Sequence, residues 1–275
     1  MEIPAPSRPR LTDRRALAAH RARADGSAWF LHDAAMDEVQ ERLKDVNRTF
    51  TAPAVVTAHP DLWAGVVPGA QVVSEAEVLD LAVGAHDLVI HAMCLHWADD
   101  PVGQIIQCRR ALREDGLFMS AAPGGETLQE LRAALGQAET EVLGGLSPRV
   151  APMGEVRDMG ALLQRAGLAL PVADVSTLRV RYRDLPHLAR DLRAMGETNA
   201  LAARHKTTPP RGLFRRAGRI YSEAFPEGEG IAATFQLVYL TGWAPSETQQ
   251  KPLRPGSAQA RLADALGVKE RGSEA

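Results

Sequence analysis

The chain has 275 residues, 45% of them hydrophobic and 24% charged, with a formal net charge of −2. This composition is typical of a globular protein with one large core or two small ones. The small negative charge gives no overall attraction to nucleic acid, so no nucleic-acid partner is expected. No apolar run approaches the roughly 20 residues of a membrane span. The two cysteines, Cys94 and Cys108, lie in apolar segments, which predicts buried thiols in a reducing cytoplasm.

The first 32 residues are rich in arginine. They also contain Glu2, Asp13 and Asp25, which counts against an organellar transit peptide because such peptides are poor in acids. We therefore predict a basic N-terminal arm over 1–32. Its arginines are expected to form a solvated face, and a binding role is the alternative.

Apolar patterning predicts an α/β domain over the next two hundred residues. A helix is expected over 33–46 with Asp33 as its N-cap, and a second from Pro101 to Gly116. Four short apolar runs predict strands, at 53–57, 71–73, 87–93 and 116–122. Because a helix connects the last two, these strands should pair in a mostly parallel sheet.

Later segments continue the pattern of helices and strands. Helices are predicted at 125–143, 154–167, 184–195 and 210–224, and late strands at 176–182 and 233–243, the last of them antiparallel. The predicted domain spans 33–243, with a helical insertion near 184–224. A polar, proline-containing tail over 244–275 is expected to follow it.

Several sequence blocks resemble a known family. DLVIHAMCLHW and DDPVGQIIQCRRALREDGLF, between Asp87 and Phe118, resemble the later half of a class I S-adenosylmethionine-dependent methyltransferase. More narrowly, the chain resembles the methyltransferase-like assembly factors of respiratory complex I, and more distantly the malonyl-carrier-protein methyltransferases. The blocks that match the narrower family, in the expected order, are LTDRRALAAHRARA, GGETLQELR, SPRVAPMGEVRDMGALLQRAGL, DLRAMGETNA, and TFQLVYLTGWAP followed by KPLRPGSA at 251–258.

This resemblance implies a Rossmann-like fold with an S-adenosylmethionine site, but one family block is absent. Relatives carry a glycine-rich turn after the first strand, because only glycine lets the backbone approach the cofactor closely. Here Thr57, Ala58, His59, Pro60 and Asp61 follow that strand. The chain then passes directly to 71–73, so the family's second strand, its helix and its ribose-binding acid are expected to be missing.

The resemblance also identifies candidate site residues. Glu75 matches the acidic position that contacts adenine in relatives, and His91 and Ala92 would lie beside the cofactor. His96 and Trp97 follow a strand end and are predicted to line the substrate crevice. Burial of Trp97 as a plug of the core is an equally good alternative. No catalytic residue is assigned.

Three other features favour ordinary structural roles. His86, His91 and His96 recur every five residues, but strand alternation separates the first two, so no metal site is predicted. The basic segment 203–220 could bind RNA or an acidic partner, although a solvated helix face or a flexible lid is favoured. Gly124, Gly125 and Glu126 lack the lysine of a phosphate loop and predict a turn between strand and helix.

Two functional hypotheses remain. The favoured one is a methyltransferase-like protein involved in complex I assembly, a pseudo-methyltransferase that binds a complex I subunit or assembly intermediate. The other is an active methyltransferase or hydroxylase that modifies a protein side chain, with S-adenosylmethionine as its cofactor. A cytoplasmic location, compatible with a peripheral position on the inner face of the membrane, is expected in both.

Overall fold

A computed structural model describes residues 10–249 of the chain, and residues up to Pro245 belong to one compact unit. The predicted tail therefore lies almost entirely outside the described residues, as does the block 251–258. Within 10–249, no helix is both long enough and apolar enough to cross a membrane. Helices and strands are interspersed along this part of the chain, as the sequence predicts.

Eight helices and seven strands are described. The helices are α1 Arg14–Arg21, α2 Phe30–Val46, α3 Pro60–Trp63, α4 Pro101–Ala111, α5 Gln129–Leu143, α6 Val156–Arg165, α7 Leu185–Ala194 and α8 Arg211–Ala224. The strands are β1 Pro53–Thr57, β2 Gln71–Ser74, β3 His86–Ala92, β4 Leu112–Pro123, β5 Ala169–Tyr182, β6 Pro226–Glu227 and β7 Gly230–Trp243.

The strands form one sheet in the order β2-β1-β3-β4-β7-β5, with β6 paired to β7. β2, β1, β3 and β4 run parallel, whereas β7 pairs antiparallel with both β4 and β5. The predicted mixed sheet, mostly parallel in its first half with an antiparallel late strand, is confirmed. Residues 58–70 contain only the one-turn helix α3 between β1 and β2, so the shortened connection is also confirmed.

The position of β2 corrects the sequence-based alignment. In a doubly wound sheet of order 3-2-1-4-5, the strand beside the first strand is the second one. β2 pairs directly with β1, with Val55 opposite Val72. β2 therefore holds the place of the second strand, and the strand that is missing from the described sheet is the outer, third one. Glu75, which follows β2, consequently lies where such folds place their ribose-binding acid.

Apolar packing on both faces of the sheet explains its stability. β1 is buried along its whole length. One core cluster joins the sheet to Leu31 of α2, Leu131 of α5 and Leu188 of α7. A second cluster joins the opposite face to Ile105 of α4 and Leu163 of α6. Each such side chain contributes about 1.5–3 kcal/mol when it is fully buried.

Predicted helix ends differ from the structure at the starts of α2 and α5 and at the end of α4, and α5 begins at Gln129 rather than at residue 125. α2 begins at Phe30 with no side-chain cap, so Asp33 lies inside the first turn rather than capping the helix. α4 ends at Ala111, because Leu112 pairs with His86 and starts β4 four residues earlier than predicted. Residues 112–115 are compatible with a helix in isolation, but pairing with the sheet is preferred.

Candidate functional site

The carboxyl ends of the parallel strands open into a cavity of about 910 Å³. Ala58 follows β1, Ser74 and Glu75 mark the end of β2, and Asp99 and Asp100 follow β3. Such an edge is where open α/β sheets bind ligands, since loops and helix N-termini converge there. The cavity is therefore the first candidate site, and we call it the sheet-edge cavity.

Helix α1 covers one side of the sheet-edge cavity. Asp13 caps the helix by accepting a hydrogen bond from Ala16 N at 3.0 Å, and it also accepts one from Arg204 at 2.9 Å. The backbone N–H groups of Leu11 and Thr12 both donate to Asp99 Oδ1 at 2.9 Å. The chain before α2 is thus tied to the domain by several independent contacts.

Arg21, the last residue of α1, shows that the expectation of a solvated arginine face is wrong at this position. Its side chain is only 9% exposed, and its Nη1 donates to Glu75 Oε1 in a close ion pair. Its Nη2 lies 3.7 Å from Glu197 Oε1. Arg21 therefore joins an acid at the sheet edge to an acid that follows α7.

Glu197 holds two predicted crevice residues in place. Its Oε2 accepts hydrogen bonds from His96 Nε2 at 3.0 Å and from Trp97 Nε1 at 2.6 Å. Burial disfavours the charged carboxylate, but His96, Arg21 and the Trp97 indole together outweigh burial and lower the pKa of Glu197 to about 2. Glu197 is consequently a fixed negative charge at neutral pH.

Aromatic rings fill the space next to the turn after β1. Trp63 Nε1 donates to His32 Nδ1 at 3.0 Å. The His59 ring packs against Trp29 and His32 with centroid distances of 4.7 and 5.2 Å. Burial lowers the pKa of His32 to about 3 and also lowers the pKa of His59. Both histidines are thus neutral parts of the packing at physiological pH.

These residues do not fit S-adenosylmethionine bound in the usual manner of the fold. Ala58, His59 and Pro60 bring side chains and a proline ring to the place where the glycine turn would contact the methionine moiety. Glu75, the acid in position for ribose, is already paired with Arg21. The guanidinium of Arg21 would also repel a cationic sulfonium placed near it.

A second cavity, of about 270 Å³, has His96, Trp97 and Glu197 among its lining residues. Its lining is mainly apolar and comes from α2, α5, α7, the end of β4 and the segment 149–153. Glu197 is the acid among its lining residues within the described chain. We call it the apolar cavity.

The predicted site residues fall into two groups. Glu75 lines the sheet-edge cavity, and His96 and Trp97 line the apolar cavity. Trp97 is also 3% exposed and packs with Leu17, so the plug and crevice interpretations both describe it. His91 and Ala92 are buried in β3 and line neither cavity. Their predicted contact with a cofactor stays a prediction.

His91 instead has neighbours inside the core. Its Nε2 lies 3.4 Å from Gln104 Oε1, and its Nδ1 lies 3.6 Å from Cys94 Sγ. Burial lowers the pKa of His91 to about 4. His86 contacts the backbone oxygen of Ala52 at 3.1 Å. Among residues 10–249, no group of three or more His, Cys, Asp or Glu side chains is arranged to hold a metal ion.

Arg21, Glu197, His32 and His59 were not selected from the sequence. Arg21 and Glu197 do occur in two blocks that carry the family resemblance, LTDRRALAAHRARA and DLRAMGETNA. The sequence signal that could have identified this pair is that both blocks match the same family although they are far apart in the chain. Such a match is consistent with contact between the two blocks.

The two remaining sequence features have structural roles in the described chain. In the turn before α5, Gly125 has φ +49°, and a Cβ there would lie 1.7 Å from Gln236 Oε1. In the basic segment, Arg216 pairs with Glu141, while Leu213 and Ala217 bury one face of α8. The predicted turn and the predicted amphipathic helix are both confirmed.

Comparison with known proteins identifies the fold family. A family model described as a methyltransferase domain matches residues 33–120. The crystal structure of the YcgJ protein from Bacillus subtilis superposes with a TM-score of 0.50 at 11% identity, covering 78% of this chain and 100% of that one. Together with the strand order and the sheet-edge cavity, these matches decide the assignment. The chain has the fold of the class I methyltransferase superfamily.

Two curated relatives within this superfamily are more similar in sequence. The mitochondrial arginine-hydroxylase NDUFAF5 of Danio rerio is 37% identical over 199 residues, which are 72% of this chain and 62% of the relative. The malonyl-[acyl-carrier protein] O-methyltransferase of Laribacter hongkongensis is 33% identical over 187 residues, 68% of this chain and 61% of that protein. The chain thus matches less than two thirds of either relative's length.

Proposed function

We propose that this methyltransferase-like protein acts in the assembly of respiratory complex I by binding a subunit or an assembly intermediate, without transferring a methyl group from S-adenosylmethionine. Similarity to the arginine-hydroxylase NDUFAF5 proteins supports the assembly role. The proposed location is the cytoplasm, at the inner face of the membrane. A protein that keeps the fold while losing the cofactor turn is consistent with this role, because a fold alone fixes no activity.

The observation that carries the proposal is the position of Arg21. Its guanidinium pairs with Glu75 at the end of β2, inside the cavity that a nucleoside would enter. A bound ribose would need that carboxylate, so the ligand would have to displace a buried ion pair. Because the glycine turn is absent, backbone contacts to the methionine end of the ligand cannot supply the free energy needed to break this ion pair.

A second candidate function is enzymatic modification of a protein side chain. The observation that favours it is the size of the sheet-edge cavity, about 910 Å³, since cavities of roughly 300–1,000 Å³ are typical of small-molecule sites. Under this alternative, α1 would move and admit S-adenosylmethionine or another cofactor.

Calorimetry with S-adenosylmethionine and its demethylated product distinguishes the two candidates. We expect no saturable heat at micromolar ligand, whereas the Laribacter hongkongensis relative, measured in parallel, serves as the positive control. A one-site isotherm in the low micromolar range for this chain would contradict the non-methyltransferase proposal.

The assembly role has its own test. Cells that lack this protein should contain less fully assembled complex I on native gels, and re-expression of the wild-type chain should restore it. Unchanged complex I in the deleted cells would refute the assembly role irrespective of the calorimetry.

A further inference from the structure

Helices α5 and α8 pack side by side and run in opposite directions. Arg216, near the start of α8, pairs with Glu141, near the end of α5. Tyr221, later in α8, and Glu130, early in α5, hydrogen-bond to the same part of β7. The end of α5 and the start of α8 therefore lie beside each other at one end of the helix pair.

This end of the helix pair exposes four large apolar side chains. They are Val142 (42% exposed), Leu143 (48%), Leu146 (74%) and Phe214 (47%). Leu146 lies in the loop after α5, and this loop folds back so that Leu146 Cδ2 is 3.6 Å from the position that a Cβ on Gly136 would occupy. Single exposed apolar residues are common, whereas several close together mark an interaction surface. We call these four residues the apolar patch.

Unpaired positive charge lies next to the apolar patch. Arg211 and Arg215 are within one turn of Phe214, and both are exposed and form no salt bridge with any described residue. Segments 142–154 and 198–222 contain no Asp or Glu, and the second contains six Lys or Arg residues. Glu141, the acid next to the patch, is neutralised by Arg216. This surface therefore suits a partner that is both apolar and negatively charged.

Acidic residues are concentrated in a different part of the molecule. Residues 49–108, which include β1, β2, β3 and their connections, contain seven acids and no Lys or Arg. This segment also exposes two large apolar side chains, Val78 (78%) and Val83 (74%). A negatively charged surface would attract the apolar patch and repel the acidic segment, so the charge distribution favours one orientation of the protein on it.

We propose that the apolar patch, together with Arg211 and Arg215, binds the surface of a membrane that contains anionic lipid. This inference rests on the proposed location of the protein at the inner face of the membrane. Leucine and phenylalanine side chains enter the boundary between headgroups and acyl chains, while neighbouring arginines remain among the anionic headgroups. The start of α8 supplies both kinds of side chain.

A bilayer fits this surface better than a protein partner does. A stable protein interface buries about 800 Å² on each partner, which four side chains at one end of a helix pair do not provide. A bilayer needs no surface of matching shape, because lipids rearrange around each inserted side chain. A few exposed apolar groups combined with unpaired cations are therefore sufficient for peripheral binding.

The test measures flotation of the full-length protein with lipid vesicles. Vesicles of equal parts phosphatidylglycerol and phosphatidylcholine are compared with vesicles of phosphatidylcholine alone. Each arginine near an anionic surface strengthens partitioning about fivefold, so we expect a preference of roughly twentyfold for the anionic vesicles. Added salt should reduce this preference, and Arg211→Gln with Arg215→Gln should remove most of it. Equal binding of the wild-type protein to both kinds of vesicle, or binding to neither, would overturn the proposal.

Two double variants locate the inserted side chains. Leu146→Ser with Phe214→Ser should weaken binding to the anionic vesicles roughly tenfold or more, because it removes apolar groups from the acyl boundary. Val78→Ser with Val83→Ser is the matched control, since it removes two side chains that are at least as exposed but lie in the acidic segment. This control should leave binding unchanged. An equal loss in both double variants would show that the apolar patch is not the binding surface.

The membrane surface and the assembly role can fail separately. Preferential binding to anionic vesicles, together with unchanged complex I in cells that lack the protein, would support the membrane surface and reject the assembly role. Loss of complex I in those cells, combined with equal binding to both kinds of vesicle, would support the assembly role and reject the membrane surface.

Discussion

At the scale of single residues, Arg21 is a largely buried cation beside two acids, Glu75 and Glu197. Removing one partner of a buried ion pair is costly because the other charge remains. We therefore expect Arg21→Ala to lower the free energy of unfolding by about 3 kcal/mol, measured by urea denaturation. Arg14, whose side chain is 38% exposed and lies 3.5 Å from Glu75, is the matched control, and Arg14→Ala should cost at most about 1 kcal/mol.

A double variant tests the mechanism behind that loss. If the penalty comes from the unpaired charge of Glu75, Arg21→Ala combined with Glu75→Gln should destabilise less than the sum of the two single changes. Strict additivity would show that Arg21 acts through packing of its stem instead.

The buried histidines predict an acid-sensitive fold. The pKa of His32 falls to about 3 through burial, whereas the unfolded residue has a pKa near 6.5. Between these values the unfolded state binds more protons, so stability declines as pH falls from about 6.5 toward 3. Protonation would also remove the acceptor that Trp63 uses. His32→Gln keeps an acceptor without titrating, and it should flatten this decline.

Thermal unfolding between pH 7.5 and 4 measures that slope, with a change of about 2–4 °C expected for each kcal/mol lost. His205→Gln, at an exposed histidine, is the matched control and should leave the slope as in the wild type. An identical slope for His32→Gln and wild type would exclude His32 as the cause.

At the scale of elements, the N-cap residue Asp13 is one of the contacts that hold α1 in place. Asp13 both caps the helix and pairs with Arg204, and loss of a cap costs about 1 kcal/mol. Asp13→Ala should therefore increase hydrogen–deuterium exchange at the amides of 14–21. Asp25→Ala, which removes the cap of the neighbouring short turn at Ser27, should leave exchange in 14–21 unchanged. If the amides of 14–21 exchange equally fast in Asp13→Ala and in Asp25→Ala, the buried Leu17 holds α1 in place without the cap.

The elements themselves were largely predictable, for a physical reason. β1 lies between two parallel neighbours and is buried on both faces, so its sequence is a continuous apolar run. The amphipathic helix α8 likewise shows its buried stripe at helical spacing. The end of α4 was not predictable, because residues 112–115 leave the helix only through pairing with His86 across the sheet.

The candidate site was only partly predictable. Glu75, His96 and Trp97 follow strand ends, where sequence position alone indicates a crevice. Arg21 and Glu197 lie 54 and 122 residues from Glu75 along the chain, and local patterns carry no information about such pairs. An exposed arginine and a buried one look the same in a basic segment, so the role of α1 emerges only in three dimensions.

At the scale of the whole molecule, charge is distributed unevenly although the net charge is only −2. α8 presents Arg211 and Arg215 on its exposed face, and no described residue forms a salt bridge with either. Arg216 differs because it pairs with Glu141. An exposed basic face mainly accelerates and orients encounter with an acidic partner, and contributes less to the stability of the final complex.

Reversal of these two charges should therefore act on association kinetics. We expect Arg211→Glu with Arg215→Glu to slow association with the proposed partner, tested as membranes that carry complex I assembly intermediates, by roughly tenfold at low salt, and to make the rate less dependent on salt. Arg157→Glu with Arg165→Glu, at exposed positions of α6, makes the same change in charge elsewhere and is the matched control. If both pairs slow association equally, net charge rather than α8 steers the encounter; if neither does, the partner binds without electrostatic steering from this face.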